Sequence, residues 1–313
     1  MGRQAADSDI RMLIATQVSY LDGTPGVPAD ALVSRTIARC EGRSDLSERE
    51  KDQLETARYI QSKIEEHGLP DCRRWIIREA ANDNAKSGFY GCLIDTRDGD
   101  AILAMRGSES FDHRQVLHDW VEADVGLMNS TGTRQQRRAE DFTRYIHNTY
   151  GTAYRRYSFT GHSLGGNLAE HAAITAPAGM PIRRCLSLDG PGFSYEYAAA
   201  HSADIINRGR YVDHYHYSFV GALLLPLPGT NYRTIAAHND KEAKGLSAFI
   251  RRHHTRNIEF DESGSVKPGK CDALSMIAGP LSKRLDAMNF SPLWLICPQI
   301  AIARAIPQGG KSG

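Results

Sequence analysis

The sequence predicts an α/β architecture, a mostly parallel central sheet with helices on both faces. Two observations lead there. Strand-like and helix-like runs alternate along the chain. In addition, a short β-prone stretch enters Gly161-His162-Ser163-Leu164-Gly165-Gly166, and a helix-compatible run, Asn167–Ala173, follows. Strand, sharp turn and helix around Gly-x-Ser-x-Gly form the context that exposes a nucleophilic serine.

The elements follow in chain order. Ile10, Met12, Leu13, Ile14, Val18 and Leu21 suggest an early helix. Ser47-Glu48-Arg49-Glu50 is a capping box, and Leu54, Ala57, Ile60 and Ile64 then recur at helical spacing as far as Gly68. Phe89–Asp95 and Ala101–Gly107 read as strands joined through Asp98-Gly99, a hairpin signal. A helix is expected from Thr133 to Tyr150, ended by Gly151. The serine-bearing strand and its helix, running to about Ala176, come next. Further strands are expected at Arg184–Leu188, near Arg210–Tyr217 and near Asn231–Ala236, and a helix at Lys244–Arg252.

Composition narrows the function. The 313 residues are enough for a large core. Lys and Arg number 38 against 37 Asp and Glu, which argues against nucleic-acid binding and against a polybasic membrane tether. The six cysteines show no C-x-x-C pair and no metal-ligand spacing, so free thiols are expected. Residues 1–21 lack the apolar core of a secretory signal, and Ala6 breaks the myristoylation pattern. The apolar runs Phe219–Pro228 and Leu293–Ile306 are too short to span a bilayer. A cytoplasmic protein with no integral membrane segment is expected.

A nucleophilic Ser163 requires a base and an orienting acid. In the α/β-hydrolase fold these follow the serine in the order acid, then histidine. His254 is the first choice for the base, with His253 and His238 as alternatives. For the acid, Asp189 in Leu188-Asp189-Gly190-Pro191 stands at the end of the next strand, and Asp213 is the alternative. The Leu164 N–H, at a helix start, is placed to hold an oxyanion, and Ser108 after the earlier strand is the second donor. No metal and no organic cofactor are required.

These residues resemble the class 3, fungal-type, triacylglycerol lipase family. Gly161–Gly166 resembles its elbow, Arg106-Gly107-Ser108 its oxyanion segment, and His118–Asp124 its Asp-Trp segment. Gly165–Ala169, Asp189–Phe193 and Ser218–Gly221 are closer to an uncharacterised bacterial lipase-like branch. The resemblance implies an α/β-hydrolase domain over 1–262, leaving 263–313 as a helical extension with a disordered tail. The family places its acid in Asp-x-Val-Pro, and Ser218 stands there in this chain. That departure points to Asp189 as the substitute. The activity implied is ester hydrolysis in lipid metabolism, on an acyl ester or lipid with peripheral lipid contact. Thioesterase or amidase chemistry with the same triad is the alternative, and so is a non-catalytic binding protein.

Overall fold

The computed structural model describes residues 8–83, 87–107, 131–238 and 252–270. Among these, seven strands form one sheet in chain order: β1 (Ile76–Asp83), β2 (Phe89–Asp95), β3 (Asp100–Met105), β4 (Arg156–His162), β5 (Ile182–Leu188), β6 (Val212–His216) and β7 (Asn231–Thr234). The β1–β2 and β2–β3 pairs are antiparallel, and β3 to β7 run parallel. The Asp-Gly turn joins β2 to β3 as expected, with Arg97 at φ 65° and Gly99 at φ 91°. The helices are α1 (Asp9–Val18), α2 (Ala29–Cys40), α3 (Glu48–Glu66), α4 (Arg134–Tyr150), α5 (Leu164–Ile174), α6 (Tyr195–Ala200) and α7 (Ser202–Arg208).

Alternation along the strands divides the core into two layers, because successive strand side chains point to opposite faces. Phe89, Leu93, Leu103, Met105 and Phe159 pack with α4 and α5. Tyr90, Cys92, Ile94, Ile102 and Ala104 pack with α1 and α3. Capping fixes where two of the covering helices begin. Ser47 and Glu50 exchange side-chain and backbone bonds at the start of α3, and Thr133 and Gln136 do the same for α4. Each such cap is worth about 1 kcal/mol.

Four elements go beyond the sequence reading. β1 and α2 form where no element was assigned, and α6 and α7 follow β5. The helix expected at Lys244–Arg252 falls almost wholly outside the described residues, as do residues 271–313. The domain boundary expected after residue 262 is not a break in hydrogen bonding. Ile10 N–H donates to the Gly264 carbonyl at 3.0 Å, and Gly269 N–H to that of Thr234 at 3.1 Å. Cys40, Cys72, Cys92 and Cys185 are buried free thiols. Among the described residues, no helix is long and apolar enough to cross a membrane.

A mostly parallel sheet, helices on both faces and a serine on the turn from β4 to α5 together make the α/β-hydrolase fold.

Candidate active site

The turn from β4 to α5 is strained. Ser163 takes φ 58° and ψ −136°, a left-handed conformation that L side chains rarely adopt. Its N–H donates to the Leu188 carbonyl at 3.0 Å, which anchors the turn to the end of β5. Leu164 is the first residue of α5, so its N–H belongs to the helix start, where the dipole favours negative charge.

Glycines make the turn possible. A Cβ at Gly161 would lie 2.1 Å from the Gly165 carbonyl oxygen, and one at Gly165 would lie 2.4 Å from that of Met105. Both obstacles are backbone and cannot rotate away. Gly165→Val should therefore cost at least about 3 kcal/mol through overpacking. Urea unfolding of the purified variant would measure this, and a wild-type midpoint would refute the close approach.

The chain after β3 lies against the same turn. Gly107 stands close enough that a Cβ there would meet the His162 carbonyl oxygen at 2.7 Å. Its N–H donates to the Tyr20 hydroxyl at 3.2 Å. Arg106 is buried, stacks over Tyr90 at 4.2 Å and bonds Asp22 at 2.6 Å. Ser108, the expected second oxyanion donor, lies outside the described residues.

Register brings the acid alongside the serine. His162 pairs with Leu188, so Ser163 and Asp189 are the next residues on neighbouring parallel strands. Asp189 is fully buried. Its Oδ2 lies 2.7 Å from His253 Nδ1, and Oδ1 accepts from the Tyr217 N–H at 2.9 Å and the Ser218 N–H at 3.0 Å. The Ser218 hydroxyl also bonds Oδ2 and lies 3.3 Å from His253 Nδ1. Burial works to raise the Asp189 pKa. The hydrogen bond and charge of His253, with Ser218 and Tyr217, outweigh it and hold the carboxyl well below the usual carboxylate range. Asp189 thus stabilises the fold above the unfolded carboxyl pKa, and this is lost only as pH falls through its lower folded value.

The histidine that meets Asp189 is His253, the alternative read from sequence, and not His254, the first choice. His253 is buried, whereas its neighbour is exposed. His254 is extended, at φ −66° and ψ 132°, so adjacent side chains diverge. The His253 backbone is held at one carbonyl by two side chains. His162 Nε2 bonds it at 2.8 Å and the Tyr217 hydroxyl donates to it at 2.9 Å. The His162 and His253 rings lie 4.4 Å apart. Burial, reinforced by the charge of His253, pushes His162 well below the ordinary imidazole pKa and keeps it neutral. Beyond His253, Thr255 accepts from Gln17 at 2.9 Å, which ties the segment to α1.

The other candidates lie elsewhere. Asp213 points to the α1 face, where Arg184 binds it at 2.6 Å and also binds Asp9. Its strand position explains this, since alternate residues of β6 face opposite layers. His238 is exposed, beyond β7. Ser218, Tyr217 and His162 were not read as contributors to an acid–base pair. Only the Ser218 departure from the lipase acid position hinted at them. Among the described residues, no cluster of three or more His, Cys, Asp or Glu is placed to hold a metal.

Comparison with known proteins adds a family. A family profile described as Mbeg1-like matches residues 73–235, just over half of the chain. No curated protein matches significantly. Among solved structures, the chain is similar to M37 lipase at 12% identity and a TM-score of 0.43, covering 95% of this chain and 98% of that one. It is similar to a mutant form of MDLA from Penicillium cyclopium at 15% identity and a TM-score of 0.42, over 83% and 84%. A lipase from Yarrowia lipolytica is similar at 15% identity and a TM-score of 0.33, over 56% and 71%.

Proposed function

The chain belongs to the Mbeg1-like family, and we propose that it is a serine hydrolase acting on carboxylic esters of acyl or lipid type. One observation carries the reading. His253 Nδ1 is bonded to a buried carboxylate at 2.7 Å, and that carboxylate sits one strand away from a strained serine.

The proposed roles are these. Ser163 Oγ attacks the ester carbonyl carbon, and its proton passes to His253 Nε2. The Leu164 N–H faces the oxyanion that forms. Collapse of the tetrahedral intermediate breaks the bond to the alcohol oxygen, which leaves with the proton from His253. Water then attacks the acyl-serine by the same steps in reverse, freeing the acid and restoring Ser163. Asp189 keeps the Nδ1 proton in place and stabilises the imidazolium. The serine, base and acid need no metal or organic cofactor for these steps.

A fluorophosphonate probe tests the reading directly. Wild-type protein should be labelled at Ser163. Absence of labelling, with the fold intact, would instead favour a non-catalytic binding protein. A series of p-nitrophenyl esters of rising chain length would then separate short-ester from lipid preference.

The two adjacent histidines give a sharper test. His253→Ala should lower kcat by roughly 10³-fold or more. His254→Ala should stay within about twofold of wild type, as an exposed residue away from the reacting atoms does. The reverse pattern, measured by steady-state ester hydrolysis, would return the base to His254.

A further inference from the structure

Behind the Asp189 cradle lies a second buried pair that the proposed chemistry does not use. Glu170 on α5 and His214 on β6 are both fully buried. His214 Nδ1 lies 2.7 Å from Glu170 Oε1, and Nε2 lies 3.1 Å from the Gly221 carbonyl oxygen. A carboxylate and a carbonyl are both acceptors. A neutral imidazole has one N–H and an imidazolium has two, so only the charged ring donates to both.

Gly221 explains what the ring holds. A Cβ at this position would lie 2.4 Å from Asp189 Oδ1 and 2.6 Å from His216 Cβ, so the turn rests directly on the acid. The same turn carries Ser218, whose hydroxyl and N–H bond Asp189, and whose Oγ also accepts from the Val220 N–H at 3.2 Å. At the other end of the pair, Glu170 belongs to the helix that begins at Leu164.

We propose that Glu170 and His214 are positioning residues, an imidazolium–carboxylate strut that fixes the Gly221 turn against Asp189 and ties it to the nucleophile's helix. The inference rests on the hydrolase reading of Ser163, His253 and Asp189. The groups facing His214 are Glu170 from α5, the Gly221 carbonyl from the turn, Asp189 from the end of β5, and the Tyr232 ring from β7 at 5.0 Å. Burial works to lower the His214 pKa. The Glu170 charge and hydrogen bond, the Gly221 carbonyl and the Asp189 charge outweigh it and raise it above the ordinary imidazole value. With both ring nitrogens on acceptors, the proposed strut carries the charged ring at neutral pH. Its stabilisation is full below the unfolded imidazole pKa and is lost as pH rises through the folded one.

Nitrogen NMR of histidine-labelled protein, assigned with His214→Gln, tests the protonation first. His214 should show two protonated nitrogens at neutral pH and lose one as pH rises. A single protonated nitrogen at neutral pH would overturn the strut. Kinetics on a p-nitrophenyl ester test the positioning. Glu170→Gln should lower kcat about tenfold through misplacement of the acid, with KM within about twofold. Its alkaline limb should fall at lower pH than that of wild type, because the ring has lost its counter-charge. Glu170→Asp should keep more of the rate, and it serves as the variant of choice if Glu170→Gln does not fold. Wild-type kcat and pH profile in the glutamate variant would refute the coupling. If the wild type hydrolyses no ester, the hydrolase reading fails instead. The low-field His253 Nδ1 proton then reports the coupling, and it should shift in Glu170→Gln and stay fixed if the pair is only structural.

Discussion

Ser163→Ala should abolish ester hydrolysis, with kcat/KM falling by roughly 10⁴-fold or more, while thermal unfolding moves by no more than about 1 kcal/mol. The two effects are expected to separate because the proposed attack needs the Ser163 hydroxyl, whereas loss of one hydroxyl changes packing little. Ala at φ 58° is as strained as Ser at φ 58°. Gly relieves that strain, so Ser163→Gly should be equally inactive yet more stable than Ser163→Ala by about 1 kcal/mol. Residual turnover above about one per cent of wild type in both variants would place the nucleophile elsewhere, since triad loss costs orders of magnitude.

The acid yields the second large effect. Asp189→Asn should preserve the fold and lower kcat by about 10³- to 10⁴-fold, because Asn leaves the imidazole in the wrong tautomer. The companion change is Ser218→Asp. Ser218 Oγ lies 3.3 Å from His253 Nδ1, so a carboxylate built there meets the same ring nitrogen. Added to Asp189→Asn, it should recover at least about tenfold of the lost rate. Alone, it should destabilise the protein, because two carboxylates would share one buried site and one pKa would be forced up. Stopped assays of the three variants decide the matter. Near-normal kcat in Asp189→Asn would remove Asp189 from the site. No recovery in the double variant would mean that a carboxylate at Ser218 does not replace the acid's function.

How much of this was legible in the residues depended on whether the signal was local. The capping box at Ser47, the Asp98-Gly99 hairpin and the Gly161–Gly165 elbow each place their chemistry within a few residues, and each forms as read. β1 was not read, because it is an edge strand whose residues are mostly half-buried, and it is held by pairing to β2 and by Arg78 on Asp95. α2 starts at Pro28 with no side-chain cap, so it lacked a start signal. The His253-His254 doublet could not be divided by sequence. Which of two neighbours faces inward depends on chain direction, and that is set by contacts from His162 and Tyr217, both distant along the chain.

The two bonds to the His253 carbonyl carry a consequence for how such a chain can diversify. The His253 backbone is held by His162 of β4 and by Tyr217 just beyond β6. A change at His162 or Tyr217 would thus reach the imidazole from far along the sequence. The placement of His253 would therefore be inherited through residues scattered across the fold, and an exchange of the local segment alone would not transplant it.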